Sequence, residues 1–228
     1  MPSGGRQHFQ EELRELEVQA LGGLDLVVRT LDRTMEALRH QDIELASIVV
    51  HDDDRIDGLY LEVQQGILSL LALQSPVASD LRLVAALLHV IKHVERMGDQ
   101  CVNIAKMLPV VGFEPPSDER MLEQIFEMGA QARSQIAQAR RAFVLRDVAV
   151  AEDLVRQDER INALNRRVFA RAVEIGTDED RREWAMSMML VARALERIGD
   201  NAVDIGEQVA FVVTGLFREF SDASHVSQ

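Results

Sequence analysis

The segment ERMGDQCVNI, at residues 95–104, returns as ERIGDNAVDI at residues 196–205, an offset of 101 positions. Six of the ten positions are identical, including a glutamate, an arginine, a glycine and an aspartate in the same order. One match of this quality is weak evidence by itself, because a chain of 228 residues offers thousands of window pairs. It nevertheless indicates where to look for a duplication.

A second match upstream of the first supports the duplication. It is offset by 105 positions, and the difference of four fits a longer turn near Pro76 in the first half than near Gly176 in the second. The matched residues are Val50, Asp53, Arg55, Ile56 and Leu59, which return as Val155, Asp158, Arg160, Ile161 and Leu164. The sequence therefore predicts two tandem copies of one unit.

The spacing of apolar residues predicts that this unit is helical. In the first segment the apolar positions advance by about 3.6 residues per step, which is the period of an α-helix. These positions are Phe9, Leu13, Leu16, Ala20, Leu24, Val27, Leu31, Met35 and Leu38. Aromatic residues make up only 4% of the chain, which also favours helix over sheet.

Further helices are predicted over residues 42–74, 83–108, 118–145, 147–175 and 178–215. Between the third and the fourth, the segment PVVGFEPPS at residues 109–117 carries three prolines and a glycine and is typical of a boundary. We therefore expect an all-α fold of six helices in two tandem, pseudo-symmetric three-helix bundles. The first bundle spans residues 1–112 and the second 113–217, followed by a frayed tail at 218–228.

Composition and charge exclude several classes of function. A net charge of −13 argues against nucleic acid as a partner, and a single cysteine, Cys101, excludes disulfide frameworks and thiolate zinc sites. The sequence has no signal peptide and no apolar run long enough to span a membrane, so we expect a soluble cytoplasmic protein. Phosphate-binding loops, dinucleotide fingerprints and nucleophile elbows are also absent, so we expect no enzymatic activity.

Acidic residues spaced four apart form the candidate site. Residues at this spacing share one helix face, so two neighbouring helices present several oxygen ligands to a cation. In the first half the pairs are Asp53 with Asp57 and Glu95 with Asp99, with Asn103 one turn further on. In the second half they are Asp158 with Asn162 and Glu196 with Asp200, with Asp204 following.

An alternative interpretation is that these acids form solvated helix faces. About six acidic pairs at this spacing are expected by chance in a chain of this composition, and Arg96 and Arg197 offer neutralising salt bridges. Against this, the pairs recur in both halves, and Asp53 and Asp158 interrupt the apolar seams of their helices. A partly buried carboxylate needs a cation or hydrogen bonds to compensate for its lost hydration.

Two glycines inside the acidic motifs point the same way. Gly98 and Gly199 each lower helix propensity by up to about 1 kcal/mol. A matched pair of such residues predicts the close approach of a neighbouring backbone or a ligand. Metal binding and the salt-bridged alternative remain about equally supported by these residues alone.

With these motifs in place, the chain resembles the PhoU family of bacterial phosphate-responsive accessory proteins. The resemblance rests on the repeated ERxGD element, on the upstream element around Asp53 and Asp158, and on SPVASDLRLV at residues 75–84. It covers about residues 10–215. It implies two three-helix bundles whose acidic pairs hold metal ions on the surface.

The resemblance also implies a function and partners. These are negative regulation of the phosphate-starvation response and of high-affinity phosphate uptake. The chain would couple the ATPase subunit of the phosphate transporter to a sensor histidine kinase, and is expected to be a homodimer. A metal-storing bundle and a plain helical scaffold are the alternatives. The first is disfavoured because no glutamate is followed by histidine three residues later, as ferritin-type sites require.

The ligand chemistry predicts the type of metal. Carboxylate oxygens without thiolates favour magnesium, manganese, calcium or iron over zinc. Asn162 stands where the resemblance implies a carboxylate, so the second site is predicted to be weaker unless Asp204 or Glu159 substitutes. His89 and His93 are interpreted as solvated surface residues.

Overall fold

The computed structural model describes residues 3–73, 76–112, 115 and 117–220. Over these residues the chain forms seven helices and no strand. They are α1 (Ser3–His40), α2 (Ile43–His51), α3 (Asp54–Leu73), α4 (Ala78–Val111), α5 (Glu119–Leu145), α6 (Val148–Ile175) and α7 (Glu179–Thr214). The all-α prediction is confirmed.

The predicted second helix is interrupted, which corrects the expectation of a continuous helix over 42–74. It stops after His51, where the N–H of Asp52 still donates to the carbonyl of Ile48, and restarts at Asp54. Residues 52–54 are three successive aspartates, which are poor helix formers with mutually repelling charges. If α2 and α3 are counted as one interrupted helix, each repeat has three helices. Gln74 lies outside the described residues.

Aspartates cap four of the helices. The carboxylates of Asp42, Asp118, Asp147 and Asp178 accept hydrogen bonds from backbone N–H groups in the first turns of α2, α5, α6 and α7. Such caps satisfy donors that have no partner within the helix.

At the boundary between the repeats, α4 continues past Leu108 through Pro109 to Val111. A proline this close to the helix end disrupts little of the remaining hydrogen bonding. The chain then turns at Gly112, whose φ of 85° suits glycine. Residues 113, 114 and 116 of the predicted boundary lie outside the described residues.

The apolar faces of the helices merge into one core that runs through both repeats. Its largest fully buried side chains include Leu24, Leu87, Met97 and Phe143. Cys101 belongs to this core, and burial raises the pKa of its thiol to about 12, so it is a packing residue.

The two repeats contact each other through corresponding helices, α4 with α7 and α1 with α5. Helices α4 and α7 run antiparallel, since Arg82 lies against Gly215 while His93 lies against Asn201. Helix α1 faces α5 across three ion pairs: Asp25 with Arg140 at 3.1 Å, Asp32 with Arg133 at 2.9 Å and Glu17 with Arg146 at 2.7 Å. The repeats therefore form one packed unit.

His93 lies in the contact between the repeats, which corrects its interpretation as a solvated residue. It is buried, and its Nδ1 lies 2.7 Å from the Oδ1 of Asn201 and 3.5 Å from the Oδ2 of Asp204. Burial lowers its pKa, against the opposing effects of Asn201 and Asp204. The helical period directs His93 away from the acidic pair of α4, and the packing of α7 on α4 covers it.

The chain folds back on itself after α7. Gly215 ends the helix in the left-handed conformation, and the N–H of Phe220 donates to the carboxylate of Glu207 at 2.7 Å. The ring of Phe220 packs near Gly206, while Phe217 stacks on Phe211 with ring centroids 4.1 Å apart. Of the tail expected from residue 218, residues 221–228 lie outside the described part.

Among the described helices, none is both long enough and apolar enough to cross a lipid bilayer.

Candidate metal centre

The acidic residues of the first repeat lie near one another where the α2–α3 turn meets α4. Asp53 is half-buried, and the pKa of its carboxyl rises to about 6. Burial is the largest cause, followed by repulsion from Asp57, Asp99, Asp54 and Glu95. Five carboxylates at close range are costly when all are charged, and a cation among them relieves that cost.

Asp99 is affected in the same way. Its pKa is raised by burial and by the charges of Glu95 and Asp57, while Lys92 and Lys106 oppose the shift. Glu95 is partly neutralised, since the Nζ of Lys92 lies 2.7 Å from its Oε2. The four predicted residues of the first repeat thus influence one another electrostatically. Asn103 is exposed on the same helix, one turn beyond Asp99.

Gly98 provides the space that lets Asp53 approach α4. A Cβ atom at this position would lie 3.2 Å from the Oδ1 of Asp53 and 2.9 Å from the Cδ1 of Ile56. The atoms nearest to Gly98 belong to the side chains of Asp53 and Ile56, whereas the sequence predicted a neighbouring backbone or a ligand.

The second repeat uses the same glycine with different partners. A Cβ atom at Gly199 would lie 2.7 Å from the Oδ1 of Asp158 and 3.0 Å from the Oε1 of Gln135. Asp158 accepts hydrogen bonds from the amides of Asn162, at 2.9 Å, and Gln135, at 3.4 Å. Two neutral amides thus donate to Asp158, whereas the charges of four other carboxylates act on Asp53.

The α7 acids of the second repeat have partners of their own. Glu196 forms an ion pair with Arg193, one turn before it. Asp200 is exposed overall. Partial burial of its carboxyl group and the charge of Asp204 raise its pKa, while Arg193 and Arg197 lower it. Asp204 faces His93 across the contact between the repeats. The structure thus gives these acids closer cationic neighbours than the first repeat gives Asp53.

As the side chains are placed, the described residues include no group of three or more histidine, cysteine, aspartate or glutamate side chains able to hold a metal ion. A cation in the first cluster would therefore require the exposed carboxylates of Asp57 and Asp99 to rotate toward Asp53. Exposed aspartates have this freedom. The donor set, with its oxygens and mutual repulsion, suits a hard cation.

Gln135 is the residue that sequence reasoning missed. It lies on α5, outside both acidic motifs, and no spacing or charge pattern singles it out. Only the packing of α5 against α6 and α7 brings its amide to Asp158.

Taken together, the fold and the site define a class of protein: an acidic, all-helical chain of two fused repeats, each with carboxylates beside a helical glycine. A model of the PhoU domain matches this chain twice, at residues 24–108 and 125–209. The chain therefore belongs to the PhoU family.

Similar proteins cover almost its whole length. It is 32% identical over 216 residues to the phosphate-specific transport system accessory protein PhoU homolog of Deinococcus radiodurans, covering 92% of this chain and 98% of that protein. The homolog of Clostridium acetobutylicum is 29% identical over 219 residues, covering 95% and 99%.

Solved structures agree on the fold. The crystal structure of the phosphate transport system regulatory protein PhoU from Streptococcus pneumoniae superposes with a TM-score of 0.86 at 27% identity, covering 92% of this chain and 99% of that one. PhoU from Pseudomonas aeruginosa gives 0.85 at 26% identity, covering 91% and 100%.

Proposed function

We propose that this chain is a non-enzymatic negative regulator of the phosphate-starvation response and of high-affinity phosphate uptake. In this proposal it works in the cytoplasm as a homodimer and couples the ATPase subunit of the phosphate transporter to a sensor histidine kinase. The observation that carries the proposal is membership of the PhoU family along both repeats, with relatives named as accessory and regulatory proteins of phosphate transport.

The buried polar residues support a regulator rather than an enzyme. Within the described residues they serve the packing: the hydroxyls of Thr34 and Ser187 donate to carbonyls one turn back, and His93 bonds to Asn201. Asp118 caps α5 and accepts from Arg171. Gln135 is the one whose carbonyl oxygen has no hydrogen-bond partner in these contacts.

The proposal includes a cation in the first repeat, held by Asp53, Asp57, Glu95 and Asp99 with Asn103 peripheral. In the second repeat the corresponding residues are Asp158, Asn162, Glu196 and Asp200, with Asp204 peripheral. Burial and then mutual repulsion raise the pKa of Asp53, and the repulsion supports the first of these sites because a bound cation removes it. Magnesium, manganese, calcium and iron suit these oxygen ligands.

A phosphate-starvation promoter reporter in a strain lacking this gene tests the proposal. We expect the reporter to become active in phosphate-rich medium and to be silenced again by the wild-type gene. An Asp53→Asn, Asp99→Asn variant should fail to silence it if the cation takes part in signalling. The matched control is Asp25→Asn, Asp32→Asn, which removes two surface carboxylates from α1 that lie outside the acidic motifs.

The outcomes separate the parts of the proposal. A reporter that stays silent in the deletion strain contradicts the regulatory role. If a folded Asp53→Asn, Asp99→Asn protein silences the reporter as well as the wild type does, the regulatory role stands. The cation then has no part in signalling, and the chain acts as a plain helical scaffold.

A further inference from the structure

Five leucines of α3 and α4 form an apolar surface on the first repeat. Leu61, Leu68 and Leu81 each keep between 50% and 60% of their surface exposed. Leu71 and Leu88 are partly buried and pack against the core beneath them. Single exposed leucines are common on proteins, whereas a contiguous group of them marks a place where another molecule binds. We call these five residues the leucine surface.

The pairing of α3 with α4 makes the leucine surface contiguous. The start of α3 lies against Gly98 in the C-terminal half of α4, so the two helices run antiparallel. Further along, the Nζ of Lys92 on α4 lies 5.1 Å from the ring centre of Tyr60 on α3. Eleven residues on along α3 and eleven residues back along α4, the same pairing brings Leu71 level with Leu81.

The leucine surface ends at the acidic cluster of the first repeat. Asp57 is exposed and lies four residues before Leu61, on the same face of α3. The charges of four other carboxylates act on Asp53 at this end, and Lys92 offsets one of them through its ion pair with Glu95. The two helices therefore present leucines along most of their shared length and net negative charge at one end.

The second repeat has a different surface at the equivalent place. Where the first repeat has Leu61 and Leu81, the second has Arg166 and Arg182, both of them exposed. The carboxylate of Asp57 is replaced there by an amide. A requirement of the fold itself would apply to both repeats, so the combination of leucines with negative charge is specific to the first.

The charge beside the leucine surface indicates what binds there. Anionic membranes and nucleic acids attract Lys and Arg, so a surface that ends in carboxylates repels them. A second copy of this chain brings a net charge of −13 and leaves the repulsion at Asp53 in place. A helix with apolar residues on one face and Arg or Lys at the end of that face complements both parts of the surface.

We propose that the leucine surface docks an amphipathic helix of a partner protein, with the basic residues of that helix against the acidic cluster of the first repeat. The surface runs from Leu81 to Asp99 along α4, about 27 Å, so a helix of about 18 residues covers it. This rests on the proposed function in one respect, since a regulator without catalytic activity acts by binding a partner.

Fluorescence anisotropy with a labelled synthetic peptide tests the docking. The probe is a helical peptide of about 18 residues with leucines along one face and two arginines at the end of that face. It is titrated with the full chain in buffer containing EDTA, so that no metal ion competes with the arginines. We expect Leu61→Gln, Leu68→Gln to weaken binding by about tenfold or more.

The matched control is Phe169→Gln, Val173→Gln. It removes two apolar side chains of similar exposure from α6, on the second repeat. It should change the affinity for the peptide by less than about twofold. Equal weakening by both pairs of substitutions would overturn the proposal, because binding would then follow general hydrophobicity and not the leucine surface.

A second peptide, with glutamine in place of both arginines, tests the charge pairing. Asp57→Asn should weaken binding of the arginine peptide by about threefold or more and leave that of the glutamine peptide within about twofold. If Asp57→Asn affects both peptides equally, or neither, the basic end of the partner helix is wrong and the proposal falls with it.

The promoter reporter connects the leucine surface to regulation. We expect folded Leu61→Gln, Leu68→Gln protein to fail to silence the reporter, and Phe169→Gln, Val173→Gln protein to silence it as the wild type does. Silencing by both variants, or no binding of the arginine peptide to the wild type, overturns the docking surface. A wild-type gene that does not silence the reporter contradicts the proposed function instead, so the two failures are distinguishable.

Sedimentation velocity of the same variants tests for the other occupant, a second copy of this chain. If the wild type is a dimer and Leu61→Gln, Leu68→Gln makes it a monomer, the leucine surface is the contact between subunits and the proposal is overturned. An unchanged sedimentation coefficient supports a partner of a different kind.

Discussion

At the scale of single residues, the two glycines of the acidic motifs act by leaving room for a side chain from the next helix. Glycine in a helix interior normally lowers stability by about 1 kcal/mol relative to alanine. At Gly98 the missing side chain makes room for Asp53 and Ile56, and at Gly199 it makes room for Asp158 and Gln135. The lower helix propensity of each glycine is thus offset because a half-buried carboxylate can pack against the helix at that point.

We therefore predict opposite effects for the same substitution at different glycines. Gly98→Ala and Gly199→Ala should lower the free energy of unfolding by about 1 kcal/mol or more, because a methyl group displaces the carboxylates. Gly58→Ala on α3, which has nothing within 4 Å of the added Cβ, should raise it by up to about 1 kcal/mol. Urea denaturation measures all three, and equal gains at the three positions would contradict this account.

The raised pKa of Asp53 makes a prediction about pH in metal-free buffer. The folded chain binds this proton more readily than the unfolded chain between about pH 4 and pH 6, so the contribution of Asp53 to stability falls as pH rises through that range. Asp53→Asn should therefore raise the free energy of unfolding by about 1 kcal/mol at pH 7, after allowing for solvent screening, and by little at pH 4.

The control for that measurement is a carboxyl with the opposite shift. Hydrogen bonds from Arg171 and from the N–H of Met121 lower the pKa of Asp118. Asp118→Asn should destabilise the protein at pH 7, and the loss should shrink as pH falls below the ordinary range of aspartate. If both variants change the free energy of unfolding in the same direction at pH 7, burial and repulsion do not determine the contribution of Asp53 to stability.

At this scale the sequence predicted the site residues that recur in both repeats, but not those that are present in one repeat alone. Asp53 and Asp158 stand out because each breaks an apolar period, and Gly98 and Gly199 because each is a poor helix former in a matched position. Gln135 and His93 carry no such signal. Their burial comes from α5 packing on α6 and α7 and from α7 packing on α4, and helical spacing within one segment does not contain that information.

At the scale of helices, most starts and stops are encoded locally. The starts of α5, α6 and α7 follow Asp118, Asp147 and Asp178, as the capping chemistry predicts. The interruption between α2 and α3 was missed because the apolar period continues through it in register. The aspartates at residues 52–54 interrupt the helix without changing the spacing of the apolar residues.

The segment after α7 provides a prediction at the same scale. Phe220 packs near Gly206 and is tied to Glu207, whereas Phe217 stacks on Phe211 but stays 78% exposed. Phe220→Ala should lower the free energy of unfolding by about 1–2 kcal/mol and Phe217→Ala by less than about 0.5 kcal/mol. Urea denaturation of both variants checks the ranking, and the reverse order would show that the returning segment is held by Phe217.

At the scale of the whole molecule, the shared core predicts that the repeats unfold together. Ile56 in the first repeat is 1% exposed, so Ile56→Ala should cost about 2–5 kcal/mol. Trp184 is the single tryptophan and lies in the second repeat. Its fluorescence should shift to the same denaturation midpoint as the far-ultraviolet circular dichroism of the whole chain.

The matched control is Leu61→Ala on α3, whose side chain is 60% exposed and should cost less than about 0.5 kcal/mol. If Ile56→Ala moves the circular dichroism and leaves the tryptophan signal in place, the repeats are separate folding units.

The pairing of like with like, α4 with α7 and α1 with α5, has a consequence for how such a chain can diversify. Two identical subunits that meet through the same surface must accept every substitution twice. Joining them in one chain makes their association independent of concentration and lets each copy change alone. Asp57 in one copy corresponds to Asn162 in the other, and Thr30 to Gln135. The duplicated frame thus carries different side chains at equivalent positions while each helix keeps its place in the common core.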